Sequence, residues 1–155
     1  MKNTFYLTFL VLVFLSCNNS KKEDADTKAA ALPNKDNYYN HVKDLEGQLM
    51  KSKFVSDTLG RAMVKAYADY SFTFKDDSLA PEFLFKAAEV ATAIKNYQQA
   101  LVYYQTICDK YPKYKYVVES LYLQGYLYDS FIKDYTKAKQ VYEQVIEKYP
   151  DNKLA

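Results

Sequence analysis

The chain repeats itself at a spacing of 38 residues. Residues 95–114 and residues 133–152 share seven identical positions, and each segment contains the tripeptide Lys-Tyr-Pro. A unit of this length with a helical pattern cannot bury its apolar face alone, so it must stack on a neighbouring unit. The repeat therefore predicts a helical solenoid, an architecture more typical of binding proteins than of enzymes.

The spacing of the apolar residues predicts helices throughout the folded part. Apolar residues recur three and four positions apart, as at Leu84, Ala87, Ala88 and Ala91. Pro81 falls in the first turn of a predicted helix, where its missing N–H costs nothing. We expect an all-α fold with helices at residues 38–52, 56–74, 80–95, 97–110, 116–132 and 134–149, and with Asn96 and Asp134 as N-caps of the fourth and sixth.

The N-terminal segment has the character of a targeting signal. An apolar run from Phe5 to Leu15 covers roughly 16 Å as a helix, which is too short for a membrane span, so residues 1–16 are predicted to be a signal peptide. Leu15-Ser16-Cys17 resembles the lipobox of bacterial lipoproteins, which implies a lipidated Cys17. An ordinary secretory signal is the alternative. The polar residues 17–36 are predicted to form a flexible tether, and residues 37–155 the folded domain.

The repeated segment resembles the tetratricopeptide repeat, a pair of antiparallel helices called A and B. The resemblance rests on residues at the characteristic small, aromatic and proline positions: Ala88, Ala100, Tyr104 and Pro112 in one unit, and Gly125, Tyr128, Ala138, Tyr142 and Pro150 in the next. Ala91 departs from the pattern, which has an aromatic residue there, and the second unit has one extra residue, expected in the loop near Ile132. Residues 38–77 resemble a degenerate first repeat, which gives about three repeats in a tetratricopeptide-type α-α superhelix.

The resemblance also implies where a partner would bind. In this family the concave groove is lined by fixed A-helix positions, which here are Glu82, Phe85, Glu89, Thr92, Glu119, Tyr122, Tyr126 and Asp129. These residues are acidic and aromatic, and none is lysine or arginine. We therefore expect a partner protein that offers a basic or extended segment with flat apolar faces.

Two other interpretations of the tyrosines stay open. Exposed tyrosine rings also stack on sugars, so glycan or peptidoglycan binding is the alternative function. The rings could instead be core residues, since the chain has 17 tyrosines and no tryptophan. Tyr111, Tyr114 and Tyr116 are predicted to pack within the turn between repeats.

The C-terminal segment predicts a further surface. Leu154-Ala155 parallels Leu79-Ala80, so another A helix is expected to begin there. Repeat arrays normally end in a helix with a polar outer face. Two explanations remain: a truncated array, or a face formed by Tyr135, Val141 and Val145 that docks on another structure.

The residues give little support for catalysis. His41 has no second histidine or cysteine near it in sequence, and Cys108 is expected to be a buried structural thiol. No phosphate loop or metal-ligand motif occurs, so no enzyme activity, cofactor or metal is expected. A net charge of +2 without a basic block argues against nucleic-acid binding.

With these features together, the chain resembles tetratricopeptide repeat lipoproteins of the Gram-negative cell envelope. Its layout is similar to that of the outer-membrane assembly lipoproteins, but the chain is shorter. The resemblance implies an adaptor that is lipid-anchored in the outer membrane, faces the periplasm and mediates protein–protein interactions. Outer-membrane assembly is one candidate pathway. The partner protein and any self-association are left undetermined by the sequence.

Overall fold

The computed structural model describes residues 33–52 and 54–155. The predicted signal peptide, the lipidation site Cys17 and the tether up to residue 32 lie outside the described residues. The described part contains α1 (Lys35–Lys51), α2 (Asp57–Thr73), α3 (Ala80–Ala93), α4 (Tyr97–Lys110), α5 (Val117–Leu127) and α6 (Tyr135–Lys148), with a π-helical turn (Tyr128–Ile132) directly after α5. No strand occurs in this part of the chain, so the all-α prediction is confirmed.

Each helix packs on its neighbours in sequence, from α1 on α2 to α5 on α6. This nearest-neighbour packing is the arrangement that a solenoid requires. Within residues 33–52 and 54–155, no helix has both the length and the apolar character needed to cross a membrane.

Side chains cap the N-terminal ends of three of the six described α-helices. Asn34, Ser56 and Asp134 each accept hydrogen bonds from backbone N–H groups in the first turn of the helix that follows. The cap predicted at Asp134 is therefore confirmed. Asn96 stands at the predicted position before α4, but its side-chain amide donates to Gln99 Oε1 (2.8 Å) instead of capping the helix. The helix α1 begins at Lys35, two residues before the predicted start of the folded domain.

The end of α3 is a Schellman motif with a lysine at its left-handed position. Lys95 has a φ of 62°, and its N–H donates to Thr92 O (3.0 Å). The next N–H, from Asn96, donates to Ala91 O (2.8 Å). This pair of bonds satisfies carbonyl groups that would otherwise be unpaired at the helix end.

The A helix of the second repeat ends in the same way, but the chain enclosed by its closing hydrogen bond is one residue longer. Lys133 is again left-handed, with a φ of 65°, and the N–H of Asp134 donates to Tyr128 O (3.0 Å). The prediction that the extra residue lies in the loop near Ile132 is wrong, because the residue is absorbed inside the helix as the π-helical turn. A π-helical turn accommodates one additional residue without breaking the helix.

The same turn follows α2, α4 and α6. In the segments 74–80, 111–117 and 149–155, the fourth residue donates to the carbonyl of the first, and the seventh donates to the carbonyl of the fourth. The parallel predicted between the first and last of these segments is therefore confirmed.

The core combines aromatic rings with small residues that let the helices approach. Tyr67, Tyr70 and Tyr104 are buried, so the interpretation of tyrosine as a core residue is confirmed for these positions. Ala87 and Ala91 are fully buried in α3. A second cluster lies at the C-terminal end and is formed by Val117, Val118, Leu121 and Val145.

This second cluster corrects the prediction for the C-terminal face. Val145 is buried, and Val141 packs against the same cluster, because both face α5 within the repeat. The large apolar side chains that α6 does expose are Tyr135 and Ile146.

Candidate binding groove

A groove of about 510 Å³ lies between α3 and α5. Five of the eight residues predicted for the partner site line it: Glu82, Phe85, Glu89, Glu119 and Tyr122. The other lining residues are Lys86, Tyr114, Lys115, Tyr116, Leu123 and Leu154. The groove is therefore built from the two A helices, the turn before α5 and the C-terminal turn.

The remaining three predicted residues do not line the groove. Thr92 donates its hydroxyl to Ala88 O (2.9 Å) within α3. Tyr126 packs edge-on against Phe131, with ring centroids 5.7 Å apart. Asp129 lies in the π-helical turn. All three stand towards the carboxyl ends of their helices, away from the turn that forms one wall of the groove.

Aromatic rings form much of the groove wall. The ring of Phe85 lies 5.3 Å from that of Tyr116 and 6.3 Å from that of Tyr114. The rings of Tyr114 and Tyr116 meet edge to face at 5.6 Å. We predicted from the sequence that these two tyrosines pack within the turn, but the turn also brings their rings against α3. Their clustering directly before an A helix was the only signal for this role.

The hydroxyl of Tyr114 is a buried polar group without a partner. Its Oη atom is shielded from solvent and has no hydrogen-bond partner among the described residues. Desolvation raises the pKa of Tyr114, and the nearby Glu82 carboxylate raises it further. The group therefore remains a neutral hydrogen-bond donor, and leaving such a donor unsatisfied costs about 1–3 kcal/mol.

The groove carries two lysines that the sequence positions did not include. Lys86 Nζ is held by Glu46 Oε1 at 2.9 Å and lies 3.9 Å from Glu82 Oε1. Lys115 Nζ lies 4.8 Å from the ring centroid of Tyr116. The surface is therefore less acidic than the eight predicted positions alone indicate.

The carboxylate of Glu46 in α1 offsets the positive charge that Lys86 brings to the groove. Desolvation raises the pKa of Glu46, but hydrogen bonds from Lys43, Lys86 and the Tyr67 hydroxyl together lower it to about 2. These donors lie 2.7, 2.9 and 2.9 Å from the carboxylate oxygens. Glu46 thus stays ionised and pairs with Lys86 on the side of α1 and α2. This pairing leaves the carboxylates to dominate the groove.

The surroundings of Glu89 disfavour the ionised form of its carboxyl group. The carboxyl lies among the groove rings, and this desolvation raises its pKa, while the positive charge of Lys86 partly opposes the rise. Neither Glu89 nor Glu119 forms an ion pair within residues 33–52 and 54–155. A cation bound in the groove would stabilise both carboxylates.

Cys108 and His41 lie outside the groove. The thiol of Cys108 lies 3.7 Å from Val117 O and 3.6 Å from the side-chain nitrogen of Gln124, so it joins α4 to α5. Desolvation raises the pKa of Cys108 to about 11, which makes the thiol a poor nucleophile. His41 is exposed on α1.

The comparisons with known proteins agree with this architecture. The tetratricopeptide repeat model matches residues 82–114 and 119–152. No curated protein and no solved structure matches the chain. The matched segments run from α3 through α4 and from α5 through α6, so each contains one A and one B helix. Repeats of this family are typical of non-enzymatic scaffolds that bind other proteins.

Proposed function

We propose that this tetratricopeptide repeat protein is an adaptor of the Gram-negative cell envelope. A lipid on Cys17 anchors it in the outer membrane on the periplasmic side, and the groove between α3 and α5 binds an extended, basic segment of another envelope protein. The observation that carries the proposal is one groove that combines aromatic rings with two carboxylates, Glu89 and Glu119, which form no ion pair among the described residues.

The ring wall suits an extended peptide. Phe85, Tyr116 and Tyr122 offer flat apolar faces on which proline rings or the alkyl stems of basic side chains can pack. The ring of Tyr114 packs edge to face on Tyr116 and supports this wall.

The charges of the groove favour a basic ligand. Lys86 is already paired with Glu46, so Glu89 and Glu119 gain most from an incoming lysine or arginine. Because Glu89 is desolvated, a bound cation would also lower its pKa. Binding of a basic segment should therefore weaken as the pH falls towards the raised pKa of Glu89.

The membrane anchor is supported by the sequence of the N-terminal segment. The apolar run, the lipobox-like Leu15-Ser16-Cys17 and the polar tether together match the order expected for a lipoprotein. Metabolic labelling with a radioactive fatty acid tests this part, since Cys17→Ser should abolish the label and release the chain from the membrane fraction. A labelled Cys17→Ser variant would contradict the anchor.

Peptide binding tests the groove. The probe is a fluorescent eight-residue peptide of alternating proline and lysine, and its anisotropy is measured with the full chain. We expect saturable binding that weakens at least fivefold between 50 mM and 500 mM salt, because exposed charges are screened. Glu89→Gln combined with Glu119→Gln should weaken binding about tenfold while leaving the fold intact.

Two controls make this measurement specific. A matched peptide of alternating proline and glutamate should not bind, and Phe72→Ala, which removes an exposed ring outside the groove, should bind as the native chain does. Binding of the lysine peptide that resists both salt and the double substitution would contradict the proposal. Binding of a neutral peptidoglycan fragment in its place would favour the glycan function.

A further inference from the structure

A second cavity adjoins the groove at the turns that precede α3 and α5. Its volume is about 670 Å³, and it shares Glu82, Tyr114 and Lys115 with the groove. The rest of its lining comes from the turn after α2, the first turn of α3, the end of α4 and the turn after it. A chain that lies in the groove can therefore continue into this second cavity, which we call the turn cavity.

The two turns that form the turn cavity are joined to each other. Tyr111 Oη donates to Lys75 O (3.0 Å), a contact between residues 36 positions apart. Within the first turn, the N–H of Leu79 donates to Asp77 Oδ1 (2.9 Å). The backbone that carries the lining side chains is therefore fixed without a ligand.

Lysines give the turn cavity a positive charge. Four of them line it: Lys75, Lys110, Lys113 and Lys115. All four are exposed, and none forms an ion pair within the part of the chain that the structure describes. Their charges are therefore available to a bound segment.

Three carboxylates also line the turn cavity, and two of them are already paired. Asp77 Oδ2 lies 2.8 Å from Lys35 Nζ, and the hydrogen bond from Lys35 lowers the pKa of Asp77. Glu82 Oε1 lies 3.9 Å from Lys86 Nζ. Asp76 is left as the one lining carboxylate that forms no ion pair among residues 33–52 and 54–155. The four lysines therefore determine the sign of the charge in this cavity.

The sign of the charge changes where the two cavities meet. The groove holds the carboxylates of Glu89 and Glu119, whereas the turn cavity holds the four lysines. Glu82 and Lys115 stand at the boundary, because each lines both cavities. A partner segment that follows both cavities with complementary charge must itself change sign along its length.

We propose that the turn cavity binds acidic side chains of the same partner segment whose basic side chains occupy the groove. This inference rests on the groove function proposed above and adds the acidic half of the partner. From Glu89 to Glu82, α3 covers roughly 10 Å, a distance that an extended chain spans in about three residues. The acidic stretch therefore lies about three residues from the basic side chain that pairs with Glu89.

The acidic half of the partner contributes only after the basic half is bound. Each lysine of the turn cavity is exposed, so a single ion pair there adds little affinity. A segment that is already held in the groove places its carboxylates beside these lysines at a high effective concentration. A wholly acidic peptide should therefore not bind measurably, whereas a bipolar peptide should bind more tightly than its basic half.

Two bipolar peptides with blocked termini test this contribution by fluorescence anisotropy with the full chain. One is Lys-Pro-Lys-Pro-Gly-Glu-Glu-Glu, and the other has the same residues in reverse order, because a segment can follow the groove in either direction. Each is compared with a copy in which glutamine replaces every glutamate. We expect one of the two orders to bind at least fivefold more tightly than its glutamine copy at about 50 mM salt, where exposed charges are weakly screened.

Matched variants locate this gain in affinity. Lys110→Gln combined with Lys113→Gln should remove the gain and leave the affinity for the glutamine copy within twofold of native. Lys51→Gln combined with Lys139→Gln removes the same charge from exposed lysines of α1 and α6, outside both cavities, and should preserve the gain. Far-UV circular dichroism checks that both variants keep the native helical content.

The outcomes separate this inference from the groove function. If the glutamine copies bind and the bipolar peptides bind no more tightly, the acidic half is overturned and the groove function stands. If no peptide binds, both are overturned. A gain that survives Lys110→Gln and Lys113→Gln, or that both double substitutions remove equally, would also overturn the inference. Loss of the gain in 5 mM inorganic phosphate at constant ionic strength would overturn it too and assign the turn cavity to a small anion.

Discussion

At the scale of single residues, the glycines of the chain meet very different surroundings. A Cβ at Gly125 would lie 2.6 Å from Cε1 of Tyr142, because α5 approaches α6 closely there. A Cβ at Gly47, inside α1, would meet nothing within 4 Å. The tetratricopeptide pattern predicted the small residue at 125 and the ring at 142. It did not predict that this pair leaves no room for a methyl group.

The two glycines should therefore respond to alanine in opposite directions. Gly125→Ala forces the Tyr142 ring to move and should reduce the free energy of unfolding by about 1–3 kcal/mol. Gly47→Ala adds a better helix former without a clash and should increase it by about 0.5–1 kcal/mol. Urea denaturation measures both values. Equal effects of the two substitutions would contradict the packing at Gly125.

The left-handed lysines give a second residue-scale prediction. Lys133 adopts a φ of 65°, which costs a residue with a Cβ about 1–2 kcal/mol relative to glycine. Lys133→Gly should raise the free energy of unfolding by about 0.5–1 kcal/mol after the entropy of glycine is included. Gln140→Gly, inside α6, is the control and should lower it by about 1 kcal/mol. Loss of stability in both variants would argue against the Schellman-like ending.

At the scale of elements, Glu46 joins three helices through its carboxylate. It lies on α1, accepts from Tyr67 on α2 and pairs with Lys86 on α3. These contacts link residues that are 21 and 40 positions apart. The network therefore holds the first helix, which has only two buried residues, to the rest of the array.

Glu46→Gln should make this contribution visible through its pH dependence. The folded-state pKa is lowered from 4.5 to about 2, so the ionised carboxylate stabilises the fold above pH 4.5, and the effect is lost as the pH falls towards 2. Since the side chain is partly exposed, we expect a loss of about 2 kcal/mol at pH 7.

Chemical denaturation at pH 7, 4.5 and 2.5 should show the difference between native and variant shrinking as the pH falls. Glu143→Gln on the exposed side of α6 is the control and should change stability by less than about 0.5 kcal/mol at every pH. A difference for Glu46→Gln that does not depend on pH would show that the carboxylate charge is not the cause.

The helices were predictable from sequence because their signals are local. Periodicity, Pro81 and the caps depend on residues within a few positions, so the predicted helix ends lie close to the observed ones. The π-helical turn was not predictable, because an extra residue in a loop and one inside a helix leave the same sequence spacing.

Only part of the groove lining was predictable from the sequence, because the repeat signals are local. Repeat positions locate residues on the A helices, and Glu82, Phe85 and Tyr122 line the groove between α3 and α5. They carry no information about Lys115 and Tyr116, which reach the groove from a turn. The role of Glu46 in neutralising Lys86 depends on contacts across 40 residues and has no local signal.

At the scale of the whole molecule, the array presents a groove with a defined chemistry between α3 and α5. The groove combines rings with carboxylates and suits an extended basic segment.

The most direct test of the adaptor function is site-specific photo-crosslinking of the full chain in native membranes. Benzoylphenylalanine replaces Tyr116 on the groove rim in one variant and Phe72, an exposed ring outside the groove, in the other. Our account predicts a discrete protein adduct from position 116 that disappears when Glu89→Gln and Glu119→Gln are added, and no such adduct from position 72. An adduct from position 72 alone, or one from position 116 that survives the double substitution, would contradict the account.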